Sequence, residues 1–350
     1  MSLSFSEPDR WKAWDAFLEG TDDTGFMQSS WWADFRASIG FEHFGVILKS
    51  EGAVVGGALV AKTSHTSEAS FYYIQDGPVL PSEEPVASQV FEAILDAIEK
   101  RRQTETETIS HLRIEPRWRQ LPGFVRGFHP PPFEDMFTEP RDTLCIDLRP
   151  AEEAILAQMK PKGRYNIRVA QRHQVSVIED NSRQGLADFL RIYKRTATRQ
   201  GIRVKPPGYF RALVSMLLPL KQVSLYFAEY RGRRLAAALV VYFGRRATYF
   251  YGGSLVLHRR VMAPYLLHYE IMRRARSMGY ESYDLWGIAP ESPPDHPWRD
   301  ISAFKRKFGG TELHLAPTLD YVYDPSAYDQ IGAEMRHTES ERIVEPLIPS

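Results

Sequence analysis

The sequence predicts an α/β protein built from two tandem modules, each a mixed sheet with flanking helices, and three observations carry that expectation. The chain has 350 residues, more than one ordinary core needs, and at about 150 residues per domain that length suggests two. Apolar residues make up 43% and charged residues 25%, both globular values, and no run approaches the ~18 apolar residues of a membrane span. The chain also echoes itself: FGVILKSEGAVVGGALV, from Phe44 to Val60, resembles LYFAEYRGRRLAAALV, from Leu225 to Val240, with Gly52 and Gly232 in matching places.

Each echo reads as a hairpin, an apolar strand meeting a turn glycine and then a second apolar strand. An aromatic strand ending in glycine follows, SFYYIQDG to Gly77 in the first copy and TYFYGG to Gly253 in the second. Next comes an amphipathic helix, marked by Val90, Ile94 and Ile98 in one copy and by Leu267, Ile271 and Ala275 in the other, where Pro264 is placed to open it. HLRIEP around Ile114 and SYDLWGI around Leu285 close the units as strands. The shared order is strand, strand, strand, helix, strand. Pro140 and Pro150 bracket a short strand in PRDTLCIDLRP, which places the boundary there. The expected division is residues 1–146, then 147–316, with 317–350 packing back on the first module and fraying after Arg336.

Lys+Arg and Asp+Glu balance at 44 each, so an anionic partner must be held by a local patch rather than by overall charge. Cys145 is the single cysteine, which rules out an intramolecular disulfide or a cysteine metal site and fits a reducing compartment. The start, MSLSFSEPDRWKAW, lacks the basic and apolar regions of a signal peptide, so a cytoplasmic location is expected. Walker, dinucleotide, HExxH and GxSxG motifs are missing. The ten histidines show no ligand spacing, and no metal is expected.

Two segments could carry chemistry. In MKPKGRYNIRVAQRH, Met159 to His173, Pro161 can start a helix that sets Arg164, Arg168 and Arg172 at successive i+4 positions. With Lys160 and Lys162 they form a stripe suited to phosphate through forked hydrogen bonds; the other reading is a solvated helix face. In ISAFKRKFGG, Phe304 and Phe308 flank Lys305, Arg306 and Lys307 ahead of a flexible Gly309-Gly310 pair. A lysine fixed in this way can stabilise an oxyanion or clamp a phosphate.

The element order resembles the acyl-CoA N-acetyltransferase (GNAT) superfamily, which cradles pyrophosphate on a glycine-rich turn at a helix N-terminus. The corresponding stretches here, PVLPSEEP and HRRVMAP, lack those glycines, so coenzyme A is disfavoured and no cofactor is expected. Together FMQSSWWADFRASIGF (Phe26–Phe41), LRIEP (Leu112–Pro116), the Met159–Val177 run, YDLWGI (Tyr283–Ile288) and AFKRKFGG (Ala303–Gly310) resemble the Fem (FemABX) family of non-ribosomal peptidyl transferases.

That resemblance implies tandem GNAT-like domains with a peptidoglycan precursor, UDP-MurNAc-pentapeptide or lipid II, bound in the cleft between them. It also implies an aminoacyl-tRNA donor, a monomer, and a peripheral membrane contact where the acceptor is lipid-linked. Arg36 stands where the family commonly has Lys, and Glu115 where it has Asp before proline. The resemblance makes Lys305 and Glu115 the catalytic candidates, and Arg36, Lys205, Tyr209, Tyr251 and Phe304 the substrate-binding ones. The acceptor arm of tRNA falls to Lys160, Lys162, Arg164, Arg168 and Arg172. An aminoacyl ester is already activated, so the enzyme need only orient an amine and stabilise the oxyanion. The amine proton goes either to a carboxylate such as Glu115 or to the substrates themselves. The competing expectations are a GNAT-like N-acyltransferase of exopolysaccharide or cell-envelope assembly with another acyl donor, and a non-catalytic module that binds tRNA or precursor.

Overall fold

The computed structural model describes residues 2–4, 8–21, 24–64, 69–132, 139–201, 204–290, 296 and 298–342. The chain divides into two compact units, Met1–Arg141 with Leu315–Ser350, and Asp142–His314.

The first unit opens with β1 (Ser2–Ser4), α1 (Pro8–Glu19) and α2 (Ser30–Ser38). It continues through β2 (Glu42–Ser50), β3 (Ala53–Ser64), β4 (Ala69–Gln75), α3 (Glu84–Arg102) and β5 (Thr108–Glu115). Strands β1 to β4 pair antiparallel in sequence, and α3 is the crossover that lets β5 lie parallel to β4. Glu51 and Gly52, at the β2–β3 turn, both have positive φ, 50° and 86°, the geometry whose twist matches that of the flanking strands. Val90, Ile94 and Ile98 bury the inner face of α3 against Leu48, Val60, Ile74 and Ile114 of the sheet. The N-terminal aromatic element is stitched to this sheet by the buried Gln28. Its amide donates to the carbonyls of Gln75 at 2.5 Å and Leu59 at 3.3 Å and accepts from Leu59 N–H at 2.8 Å. It fills the gap beyond Ala61 and Tyr73, where the β3–β4 ladder ends.

The second unit runs β6 (Asp142–Asp147), α4 (Glu152–Gln158), α5 (Pro161–Arg172), β7 (Ser176–Glu179), α6 (Arg183–Gln200) and α7 (Pro207–Leu217). It then runs β8 (Val223–Tyr230), β9 (Arg233–Phe243), β10 (Arg246–Ser254), α8 (Ala263–Ser277), β11 (Ser282–Gly287), α9 (Arg299–Lys305) and β12 (Thr311–His314). Its sheet order is β7-β8-β9-β10-β11-β6-β12, with only β10 and β11 parallel. The β8–β9 turn repeats the first unit's geometry, Arg231 and Gly232 having φ of 50° and 70°. Strand β9 is buried along nearly its whole length, because α5 and α8 cover one face of the sheet and α6 packs on the other. The series β2-β3-β4-α3-β5 thus recurs as β8-β9-β10-α8-β11, two GNAT-like folds in tandem.

The chain then returns to the first unit, where β13 (Leu319–Val322) pairs antiparallel with β5 and α10 (Pro325–Arg342) follows. A buried fork holds it there: Arg113 donates from Nε and Nη2 to the two oxygens of Asp320, each at 2.7 Å, and the Tyr328 hydroxyl adds a third bond at 2.8 Å. Three expectations need correction. The boundary falls before Asp142 rather than after Ile146, because β6 pairs with β11 and β12 of the second sheet. Helix α10 continues through Arg336 to Arg342. Gly309-Gly310 is no flexible tether: both residues have positive φ, and a Cβ at either would lie 2.4 Å from a backbone carbonyl, of Gln158 or of Cys145.

Candidate functional site

In the second unit the parallel strands β10 and β11 pair over only three positions, Arg246 to Thr248 against Ser282 to Asp284, and then part. A bulge in β11 carries it toward β6, with Trp286 held at a φ of 62°, a region costly for a residue with a Cβ. Lys305 spans the gap. Its Nζ donates to Gly287 O of β11 at 2.5 Å and lies 5.9 Å from the centroid of the Tyr249 ring of β10. The side chain is 5% exposed, and burial lowers its pKa from 10.5 to about 7, against an upward pull from Asp284.

The lining explains why this lysine is distinctive. Asp284 is buried and accepts from the Thr143 hydroxyl and from Trp286 N–H, the latter at 2.8 Å. His268 packs edge-on to Tyr249 and lies 2.9 Å from the Tyr283 hydroxyl. Burial, with the Lys305 charge beside it, lowers its pKa to about 3, so it stays neutral. Phe304 is not at the gap itself; it packs on Tyr265, His268 and Phe308 and anchors the helix turn that aims Lys305 inward. Arg306 is committed to Glu312 and to Ala289 O, so of these two neighbouring cations Lys305 is the one turned into the gap.

Beyond the parting of the strands lies an aromatic cluster. Trp286 meets Phe250 edge-on at 5.5 Å, Phe250 meets Tyr251 at 4.3 Å, and Tyr251 packs against Tyr193 and Phe210. The Tyr251 hydroxyl donates to that of Tyr209 at 3.3 Å, and the ammonium of the exposed Lys205 lies 5.8 Å from the Tyr209 ring centroid. Three predicted substrate residues, Lys205, Tyr209 and Tyr251, therefore form one group, linked through Phe250 and Trp286 to the strand end that holds Lys305. Phe250, Trp286, His268 and Asp284 carry no signal in the sequence that marks them for the site: all but His268 lie within the expected strands, but strand register decides which side chains point inward.

The predicted cationic stripe is α5. Lys160, Lys162, Arg168 and Arg172 are exposed. Arg164 is not a free member of the stripe: its guanidinium caps the end of α4, donating to Met159 O and to Ala157 O, the latter at 3.1 Å. Tyr165, 52% exposed, has the ammonium of Lys162 and the guanidinium of Arg172 within 6 Å of its ring.

In the first unit, β4 and β5 stay paired to their ends, Gln75 against Glu115. Glu115 is buried there. It accepts from the Tyr73 hydroxyl, from Glu139 N–H at 3.1 Å and from the Thr318 hydroxyl at 3.2 Å. Burial, reinforced by the Glu139 charge, pushes its carboxyl well above the usual range. Tyr73 also lines a small cavity with Arg36, Trp32, His43 and Gln75. Tyr73 thus connects Arg36 and Glu115, a link that no spacing in the chain marks. The Arg36 guanidinium stacks 3.6 Å over the Phe41 ring. Among the described residues, no three His, Cys, Asp or Glu side chains are grouped to hold a metal, and no helix is long and apolar enough to cross a membrane.

Comparison with known proteins covers both units. The FemAB family profile matches residues 11–119, and an acetyltransferase (GNAT) domain profile matches residues 161–300. A UDP-N-acetylmuramoylpentapeptide-lysine N(6)-alanyltransferase of Weissella viridescens is 28% identical over 55% of this chain and 56% of its own length. A lipid II:glycine glycyltransferase of Staphylococcus haemolyticus is 20% identical over 91% of this chain and 92% of its own. The crystal structure of FemX superposes with a TM-score of 0.82 at 18% identity, covering 95% of this chain and all of that one. The FemAB signature lies in the first unit and the acetyltransferase signature in the second, and the fold of FemX spans both, so the chain is similar to the FemABX family in each of its parts.

Proposed function

We propose that this chain is an aminoacyltransferase that acylates the side-chain amine of a peptidoglycan precursor and takes the amino acid from an aminoacyl-tRNA. The observation that carries the reading is the Lys305 ammonium, buried where β10 and β11 part and bonded to the Gly287 carbonyl. The names of the relatives, which transfer alanine or glycine to such precursors, supply the substrate class.

In this reading the neutral amine attacks the ester carbonyl, an N–C bond forms, and the ester C–O bond to the ribose breaks. The ribose oxygen leaves with a proton that originates on the amine. Negative charge builds on the carbonyl oxygen between these steps. A lysine titrating at about 7 is only part charged at rest, and an oxyanion beside it favours the ammonium, so the interaction strengthens as the transition state forms. Lys205, Tyr209 and Tyr251 present a cation and two hydroxyls over an aromatic floor, which suits a precursor carrying phosphate and peptide. The exposed Lys160, Lys162, Arg168 and Arg172 offer phosphate contacts to the acceptor arm, and Tyr165 a ring for stacking. Glu115 takes up the amine proton directly or holds Tyr73 in place for the precursor side of the reaction.

The test is transfer of a labelled amino acid from charged tRNA to nucleotide-linked and lipid-linked muropeptides. A labelled branch on the acceptor amine supports the proposal. Transfer from acetyl-CoA, with none from charged tRNA to either acceptor, overturns it.

A further inference from the structure

The loop between β10 and α8 combines features that the acyl-transfer reading does not use. Val256 and Leu257 are 55% and 44% exposed, and His258, Arg259 and Arg260 directly after them are exposed as well. The loop is nonetheless tightly built. Leu255 N–H bonds to Leu235 O at 2.8 Å, Arg259 N–H to Val256 O at 3.1 Å and Val261 N–H to His258 O at 2.9 Å. His258 and Met262 hold φ of 54° and 57°, a conformation that non-glycine residues keep only where their surroundings fix it. The aliphatic pair is therefore presented to solvent by a fixed backbone.

The β8–β9 hairpin extends the same surface. The Tyr230 ring packs edge-on to His258 at 5.4 Å, and the Arg231 guanidinium lies 5.1 Å from the Tyr230 centroid. Arg231 and Arg233 flank the turn glycine and are exposed. Four exposed arginines thus lie on the loop that carries the two aliphatic side chains and on the hairpin packed against it, and among the described residues none of the four pairs with a carboxylate. The nearby Glu229 is engaged by Arg234 at 3.1 Å.

We propose that this end of the second unit docks on an anionic lipid bilayer, with Val256 and Leu257 entering the headgroup boundary and Arg231, Arg233, Arg259 and Arg260 meeting lipid phosphates. The aliphatic pair decides between ligands. A nucleic-acid backbone satisfies the arginines but offers nothing to an exposed valine and leucine, whereas a bilayer surface satisfies both. The resemblance implies a membrane contact only where the acceptor is lipid-linked and names no surface for it; the inference assigns the surface and needs neither donor nor acceptor to be tested, so either can fail without the other.

The experiment is co-sedimentation of the full chain with vesicles of phosphatidylcholine alone and with a third of phosphatidylglycerol, at low and high salt. Binding should require phosphatidylglycerol and weaken as salt screens the surface. Arg259→Ala with Arg260→Ala should lower partitioning by roughly 30-fold, two charges' worth at the membrane surface. Val256→Ser with Leu257→Ser should lower it several-fold more gently while leaving the salt dependence intact. Lys194→Ala with Arg195→Ala, an equal loss of charge on the exposed side of α6, should leave it unchanged, and melting temperatures confirm that all variants fold. Three results would each overturn the proposal: no preference for phosphatidylglycerol, an equal loss in the α6 variant, or loop variants that weaken binding of a short oligoribonucleotide but not of vesicles.

Discussion

Replacing Lys305 with methionine should make the protein more stable at neutral pH and far less active, and the two effects have one cause. Lys305 titrates at about 7 in the folded chain and at its ordinary 10.5 when unfolded. Between those values the unfolded state holds the extra proton, so wild-type stability rises with pH across the window, by about tenfold in the folding equilibrium per unit. The whole window is worth about 5 kcal/mol, fully against the wild type below pH 7 and gone above about 10.5. Methionine fills similar volume without the charge, but it leaves Gly287 O without its partner, a cost of about 1–3 kcal/mol that does not depend on pH. The variant should therefore be the more stable protein near pH 6, with the two stability curves crossing at roughly pH 9. Urea denaturation of both proteins at pH 6, 7.5, 9 and 10 measures the gap. In the transfer assay, the variant should lose on the order of 100-fold in turnover with precursor affinity little changed. A gap that stays constant with pH would refute the buried charge, and a loss confined to precursor affinity would make Lys305 a phosphate clamp.

Arg168→Ala with Arg172→Ala should weaken charged-tRNA binding and lower the slope of log affinity against log salt by about two phosphate contacts, whereas Arg164→Ala should act on stability through the end of α4; filter binding across a salt series and thermal melts separate them. Glu115 has its pKa raised on folding, so its contribution to stability is present at low pH and is lost as pH rises past the carboxylate range. Glu115→Gln should therefore gain stability relative to wild type as pH increases. If the carboxylate takes the amine proton, turnover also falls and the pH–rate profile loses one ionisation, whereas an unchanged profile leaves Glu115 a structural partner of Tyr73. Asp320→Ala should cost about 3–5 kcal/mol in urea denaturation, because it strands the buried Arg113 guanidinium.

The fold was legible because its repeating parts have local causes. Alternating apolar runs around Gly52 and Gly232 announce hairpins whose turns need positive φ, and the four-residue spacing in α3 and α8 announces helices that bury one face. The boundary was misplaced because the β6 sequence reads as a strand for either sheet; only its pairing with β11 and β12 assigns it. Lys305 was legible from its flanking phenylalanines, but not the reason it is perturbed. Tyr249, His268, Asp284 and Gly287 come from three elements, and no spacing in the chain reveals that two parallel strands part between them. Arg164 misled for the opposite reason: i+4 spacing places it on the stripe, while its length lets it reach back to the carbonyls of Ala157 and Met159.

The same blueprint has been finished differently in the two units, and the difference lies in one strand pair. In the first unit β4 and β5 remain hydrogen-bonded to Gln75 and Glu115, a bulge near Ser110 absorbing the extra residue, so the carboxyl at the end of β5 is closed in by Tyr73, Thr318 and the Glu139 backbone. In the second unit the equivalent pair separates after Thr248 and Asp284, and the gap receives a lysine from a helix absent from the first unit's repeat. A paired ladder leaves no backbone carbonyl to hold an incoming side chain; a parted one exposes Gly287 O and creates a niche dry enough to bring an ammonium near neutrality. We propose that the electrostatic work of acyl transfer falls to the second unit because its strands part, whereas the zipped pair of the first unit closes its carboxyl in beside Tyr73 and leaves no such niche.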